Sequence, residues 1–203
     1  MRVMQMIDAL HPGGAERMAV ALANELVSSV TKSYLCVTRE EGLLNDFVSE
    51  EVGYVHLKKK RRLDFGAFIR LYVFVRDHRI DVLHAHSSSF FYASLLKIGR
   101  PKLKVVWHDH YGESEALNVR KFRILKQCSR LFDSVISVNH TLKNWAIEEL
   151  HCKQVYYLKN FVAASTNVSH SIDLEGTEGF RIVCLANIRS QKDHLNLLQA
   201  FKI

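Results

Sequence analysis

A chain of 203 residues, 48% of them hydrophobic and 24% charged, with two prolines, is long enough for one domain and part of a second, and too apolar to stay disordered. Its four cysteines, Cys36, Cys128, Cys152 and Cys184, stand far apart without a CxxC pair. Reduced thiols and a cytosolic setting are therefore expected, and neither a secretory leader nor an apolar run of about 18 residues is seen.

The first predicted strand is RVMQMI (2 to 7), followed by HPGGAER, His11 to Arg17. Two glycines at a strand-to-helix turn let a ligand approach the backbone, and the helix N-terminus behind them offers unpaired N–H groups and partial positive charge. A phosphate or sugar hydroxyl fits that turn, although a Gly-Gly pair alone is as often only a tight turn. The helix AERMAVALANELVSS then spaces Met18, Leu22 and Leu26 four residues apart, an apolar stripe. Strands SYLCVT (33 to 38) and YVHL (54 to 57) come next, then KKKRR, Lys58 to Arg62. This run carries much of the net charge of +7 and reads either as a solvated loop or as a contact for an anionic surface.

The helix DFGAFIRLYVFVRDHR leads to strands DVLHAH (81 to 86) and KVVWHD (104 to 109), the helical stretch NVRKFRILKQCSRLF, and strands DSVISV (133 to 138) and QVYYLK (154 to 159). Apolar strands alternating with helices predict an α/β fold, a doubly wound, Rossmann-like parallel sheet with ligands at the carboxyl ends of its strands near the switch in strand order. Two of those ends carry histidines: HAHSSS with His84 and His86, and WHDHYG with His108, Asp109 and His110. Residues two apart share a face of a strand, so each pair can project two imidazoles together, which invites a zinc reading. A metal site needs three or four converging ligands. The simpler expectation packs one histidine of each pair under a loop and sets the other at a ligand cleft.

From Ala163 to Gly179 the sequence AASTNVSHSIDLEGTEG is polar and aperiodic, a linker. Beyond it RIVCLA reads as a strand and QKDHLNLLQAFK as a helix, with Arg189 and Lys192 in the turn between. Cations beside a helix N-terminus suit a diphosphate; they also suit an exposed loop. Units below about 40 residues rarely fold alone. The predicted organisation is thus a first domain over 1–162, a linker over 163–179 and, over 180–203, the truncated first βα unit of a second Rossmann-like domain. The alternative adds this tail to the first sheet.

Taken in order, GGAERMAVALANEL, DVLHAHSSSFFYASLL, VVWHDHYG, VISVNHTLKNW, VYYLKNFV and IRSQKDHLNLLQAF resemble the retaining nucleotide-sugar glycosyltransferases of family 4 across essentially the whole chain. The resemblance implies a GT-B fold, an acceptor-side domain at 1–162 and the start of a donor-binding domain at 180–203. It implies transfer of a sugar from a nucleoside diphosphate to a hydroxyl with retention, in surface polysaccharide or glycolipid synthesis, with no cofactor and no metal. By the same resemblance His108 is the active-site histidine, with His110 as second choice; Gly13, Gly14, Glu16 and His86 face the donor; Arg189 and Lys192 hold its diphosphate. Implied partners are the nucleotide-sugar donor, a saccharide or lipid-linked acceptor, and an anionic membrane at Lys58 to Arg62, which places the protein in the cytoplasm at the inner membrane face.

Two departures stand out. The family's arginine five residues before the lysine falls on Asn187, leaving Arg189 to supply that charge, and its NGVD segment reads NFVA, Asn160 to Ala163. The family's acidic donor-gripping pair would follow Ile203, so the 203-residue chain is expected to have little or no transferase activity. Two other readings compete: a zinc-dependent hydrolase built on the HAH and HDH histidines, and a basic α/β module that binds polyanions without turnover. No recognised nucleic-acid motif supports binding to nucleic acid.

Overall fold

The computed structural model describes residues 1–114, 116–161, 174–177, 179–186, 188 and 192–202. The chain divides into two units, Met1–Ala163 and Ala164–Ile203. In the first unit, strands β1 (Arg2–Ala9), β2 (Lys32–Glu40), β3 (Gly53–His56), β4 (Val82–His86), β5 (Lys104–Asp109), β6 (Ser134–Ser137) and β7 (Val155–Tyr157) form one sheet in the order β3-β2-β1-β4-β5-β6-β7. Every pairing is parallel. Each of the seven runs expected as strands in this unit forms one.

Helices α1 (Gly14–Glu25), α2 (Phe65–Asp77), α3 (Phe90–Gly99), α4 (Arg123–Cys128) and α5 (His140–Glu149) connect the strands. Alternation along the strands sorts side chains onto two faces. Met4, Met6, Leu83, Ala85, Val105 and Trp107 face the larger core, which Leu71 and Val75 of α2, Leu96 of α3 and Trp145 of α5 complete. Ile7, Leu35 and Val37 turn the other way and pack on Ala19, Val20 and Ala23 of α1. Burial on both faces is why these strands read as apolar runs rather than as alternating ones. It is a doubly wound, Rossmann-like sheet.

Two helices differ from expectation. The buried face of α1 is turned from the predicted stripe: Met18 is buried, but Leu22 and Leu26 are only half-buried, and Ala19, Val20 and Ala23 meet the sheet. Small side chains let the helix lie close to β1 and β2. The stretch at 118–132 keeps just α4 and short 3-10 turns.

Helix α2 starts where Asp64 accepts a hydrogen bond from the Ala67 N–H (2.9 Å), and α5 starts at the equivalent Asn139 cap on Leu142 (2.8 Å); such caps typically contribute about 1 kcal/mol each. Cys36 and Cys152 are buried, Cys184 is exposed, and all four cysteines are free thiols.

In the second unit α6 (His194–Ala200) forms, whereas the expected strand RIVCLA does not. Residues 181–186 adopt no strand, and Ile182, Val183 and Leu185 are exposed. A strand needs a neighbour to take up its backbone N–H and C=O groups, and among the described residues nothing pairs with this one. The linker expected over 163–179 falls mostly outside the described residues, as does the expected role of Arg189.

Candidate functional site

The strand order reverses between β1 and β4, so the carboxyl ends of these two strands flank the natural ligand crevice of the sheet. Asp8 knots the two ends together. Its carboxylate accepts hydrogen bonds from Thr38 of β2 (2.5 Å) and from Ser88 just after β4 (2.6 Å), with the Arg39 guanidinium 3.8 Å away. Ser89 donates to the carbonyls of Met6 (2.7 Å) and His86 (2.6 Å). Between them Ser87 is held in the left-handed region at φ +50°, a conformation that costs energy in a non-glycine residue and that gathers at functional turns.

On the β1 side, Gly13 precedes α1 in extended conformation, and no side chain caps the helix. The first-turn N–H groups are thus left for another acceptor. A Cβ on Gly13 would overlap the Glu16 carboxylate, and one on Gly14 would stand 3.7 Å from the Asn160 side-chain amide. Glu16 therefore folds back over the anion-favouring end of its own helix. The turn is braced from outside: Leu10 donates to Glu40 (3.1 Å) and accepts from Leu44 (3.1 Å), while Gly42 lies so close that a Cβ there would stand 2.5 Å from the Leu10 carbonyl oxygen.

Beside the crevice four imidazoles come together. β4 pairs with β1 so that His84 lies opposite Gln5, and with β5 so that His86 lies opposite His108; Gln5, His84, His86 and His108 therefore share the α1 face of the sheet. The rings of His84 and His86 stack at 4.5 Å, His84 and His108 at 5.2 Å, and His108 and His110 approach to 4.0 Å. His84, His86 and His108 are buried.

His86 Nε2 lies 2.8 Å from Gln5 Oε1 and its Nδ1 lies 3.0 Å from His110 Nε2. Gln5 Oε1 can only accept, which makes His86 Nε2 the donor and its Nδ1 the acceptor from His110. Among the described residues His84 Nε2, both ring nitrogens of His108, His110 Nδ1 and Gln5 Nε2 have no hydrogen-bond partner. Burial, helped by the neighbouring His110 imidazole, pushes His84 down to about 3. Burial alone pushes His110 down to about 4, and burial with the neighbouring imidazoles depresses His86 and His108. All four are neutral at physiological pH, with lone pairs available.

A cavity of about 1060 Å³ opens next to His110, lined by Ser87, Ser88, Trp107, Asp109 and Arg120 among others. Arg120 grips Asp109 with two hydrogen bonds of 2.7 and 2.8 Å, and both side chains are nearly fully buried. Its guanidinium stacks 4.1 Å from the Trp145 ring and 4.3 Å from Tyr111. Arg62, Lys121 and Arg123 add further cations to the cavity wall.

Of the residues singled out in the sequence, Gly13, Gly14 and Glu16 stand at the start of α1, and His110 lines the cavity. His86 and His108 lie in the buried histidine cluster. Lys192 belongs to the second unit, next to α6, and Arg189 is outside the described residues. The two histidine pairs, expected to divide between loop and cleft, meet in one cluster. Sequence reasoning passed over Asp8, Gln5 and Arg120. Only Gln5 left a signal: a lone amide in an otherwise apolar strand.

Residues 12–165 match the family described as Glycosyltransferase Family 4. No curated protein sequence matches the chain. Solved structures do: a glycosyltransferase from Rickettsia africae ESF-5, at 15% identity and TM-score 0.57, over 78% of this chain and 42% of that one; HepE of Anabaena, solved with UDP and glucose, at 14% identity and TM-score 0.60, over 79% and 44%; and MurG of Acinetobacter baumannii, at 15% identity and TM-score 0.56, over 81% and 46%. At such identities the likeness is one of fold. The chain spans less than half the length of these structures.

Proposed function

Because the chain belongs to glycosyltransferase family 4, we propose that it supplies the acceptor-side domain, over 1–162, of an enzyme that moves a sugar from a nucleoside diphosphate to an acceptor hydroxyl with retention of configuration. The observation that carries this reading is an uncapped, glycine-led helix N-terminus after β1 together with a cavity of about 1060 Å³ whose wall includes Ser87 and Ser88 after β4, the two strands between which the order reverses. The helix end suits the donor's phosphates. The cavity suits a saccharide.

In this reading the first-turn N–H groups of α1, led by Gly13 and Gly14, receive the donor, and Glu16 swings off them as the anion arrives. His110 takes the place expected for His108, because His110 lines the cavity whereas His108 is buried. His86 acts through His110 by accepting the hydrogen bond from its Nε2–H at Nδ1. Arg189 and Lys192 neutralise the leaving diphosphate. Such preorganised charge stabilisation is commonly worth about a hundredfold or more in rate per donor group.

The cations Arg62, Lys121 and Arg123 on the cavity wall favour an acceptor that itself bears phosphate, as a lipid-linked saccharide of surface polysaccharide or glycolipid synthesis would. Exposed Lys58, Lys60, Arg61 and Arg62 beside exposed Leu63, Phe65 and Ile69 suit peripheral contact with an anionic inner membrane face.

Saturation-transfer NMR with nucleoside diphosphate sugars and saccharide 1-phosphates tests the reading. Magnetisation should reach the sugar protons in the wild-type chain and fade in His110→Ala. Absence of transfer to every ligand, or transfer unaffected by that substitution, overturns it.

A further inference from the structure

We propose that His84, His86 and His108 form a transition-metal site; it does not rest on the glycosyltransferase reading, and it meets the transfer chemistry at one point, the hydrogen bond between His110 and His86. One ring nitrogen from each of the three residues lies within 4.8 Å of the others. Ligands around one tetrahedral zinc are about 3.4 Å apart for bonds of about 2.1 Å. Closing that gap requires the three rings to draw together from strand positions that the register already sets side by side.

A second observation points the same way. Buried polar atoms almost always find partners, yet His84 Nε2 and both nitrogens of His108 have none among the described residues, although both side chains are buried. Three imidazoles packed against one another with orphaned lone pairs form a poor apolar core and a good ligand set. Four strand positions build it, since the register of β1, β4 and β5 sets Gln5 beside His84 and His86 beside His108.

The donor set defines the ion. All three ligands are neutral imidazoles and no carboxylate belongs to the group, which suits Zn²⁺ or a neighbouring borderline ion and disfavours Mg²⁺ and Ca²⁺, which want oxygen. Gln5 supplies the outer support a histidine ligand needs: its Oε1, 2.8 Å from His86 Nε2, fixes the tautomer whose Nδ1 lone pair faces the cluster. When the ion takes that Nδ1, His110 gives up the hydrogen bond it now makes there and is released toward the cavity. Three protein ligands leave the fourth position to water. The zinc hydrolase once suggested by these histidines gains nothing from this, because the cluster is buried on the α1 face and its ligand set includes no acidic residue to serve as a general base.

The test titrates the metal-free 203-residue chain with Co²⁺ alone, then with Zn²⁺ in competition. Expected are one equivalent of Co²⁺ with the intense visible absorption of a tetrahedral site, its displacement by Zn²⁺, and a rise in thermal midpoint on Zn²⁺ addition. His84→Gln and His108→Gln should abolish the absorption, Gln5→Leu should weaken Zn²⁺ binding by about 10- to 100-fold, and His151→Gln, at an exposed position, should change nothing. Circular dichroism of each variant without metal reports whether it folds. If the histidine variants fail to fold, the wild-type spectrum decides by itself. A spectrum of octahedral hydrated Co²⁺, or one equivalent bound unchanged in folded His84→Gln and His108→Gln, overturns the proposal.

Discussion

Arg120 reaches back from the loop after β5 to hold Asp109 at the end of that strand, and three aromatic rings, Trp107, Tyr111 and Trp145, lie within 6 Å of its guanidinium. Both charges are withdrawn from water, so removing one leaves the other buried and unpaired, at a cost of about 3–5 kcal/mol. Arg120→Ala should lower the free energy of unfolding by about that much in urea titrations. Asp77→Ala, which breaks the exposed pair of Arg76 and Asp77, should leave the urea midpoint nearly unchanged, because water screens that pair. Equal effects would mean the cavity wall does not depend on the pair. The two partners are eleven residues apart, one ending a strand and the other on the loop beyond it, with no periodicity to link them, so the sequence could present Asp109 as a neighbour of two histidines but not as the anchor of an arginine. The histidines were legible in pairs, because i and i+2 share a strand face. Their union was not, since it depends on β4 lying beside β5 in one particular register.

At the scale of elements, the β1–α1 turn is shaped by Gly42, which lies on a different loop. Gly42→Ala would set a Cβ 2.5 Å from the Leu10 carbonyl oxygen and 2.9 Å from the His11 nitrogen. The backbone must then shift, so a loss of about 1–3 kcal/mol and altered amide resonances at Gly13 and Gly14 are expected; a variant as stable as the parent with unchanged resonances would refute the bracing role.

Asp133, at the entry to β6, binds the ammonium groups of Lys97 (2.9 Å) and Lys104 (2.8 Å) and the Val105 N–H (2.9 Å). Burial alone would raise its pKa, but hydrogen bonds from Lys104, Lys97 and Val105 outweigh it and lower the carboxyl to about 2. Its ordinary value is about 3.9. The folded value is the lower one, so the stabilisation is fully present above about pH 4 and disappears as pH falls toward 2. Thermal midpoints of Asp133→Asn and the parent should differ near neutral pH and converge between about pH 4 and pH 2; a gap independent of pH would assign the effect to packing instead.

Strands were the most legible elements, because parallel strands buried on both faces leave compact apolar runs bounded by polar turns. The face of α1 was misread because helical spacing favours large residues such as Leu22 and Leu26, while contact with a sheet here favours Ala19 and Ala23. RIVCLA has the composition of a strand and still forms none among the described residues, since composition cannot supply the pairing partner.

For the molecule as a whole, positive charge and exposed apolar side chains coincide where the basic run 58–62 meets Leu63, Phe65 and Ile69 at the start of α2. No helix among the described residues is long and apolar enough to cross a membrane, so contact there would be peripheral. Each cation near an anionic bilayer contributes about 1 kcal/mol. Co-sedimentation with phosphatidylserine-containing vesicles should fall when Lys58, Lys60, Arg61 and Arg62 are changed together to Gln, and fall separately in Phe65→Ser; equal binding to neutral phosphatidylcholine vesicles would remove the electrostatic part of this reading.

On the proposed function, a nucleotide sugar would meet this domain at the strand-order switch between β1 and β4. The most direct test of this reading is an amide-resolved NMR titration of the isotope-labelled chain with UDP-glucose. Saturable shifts are expected at Gly13, Gly14 and Ala15 and in the His110 side chain. Shifts confined to Lys58–Arg62, equally produced by inorganic diphosphate, would contradict it, as would a spectrum that does not change.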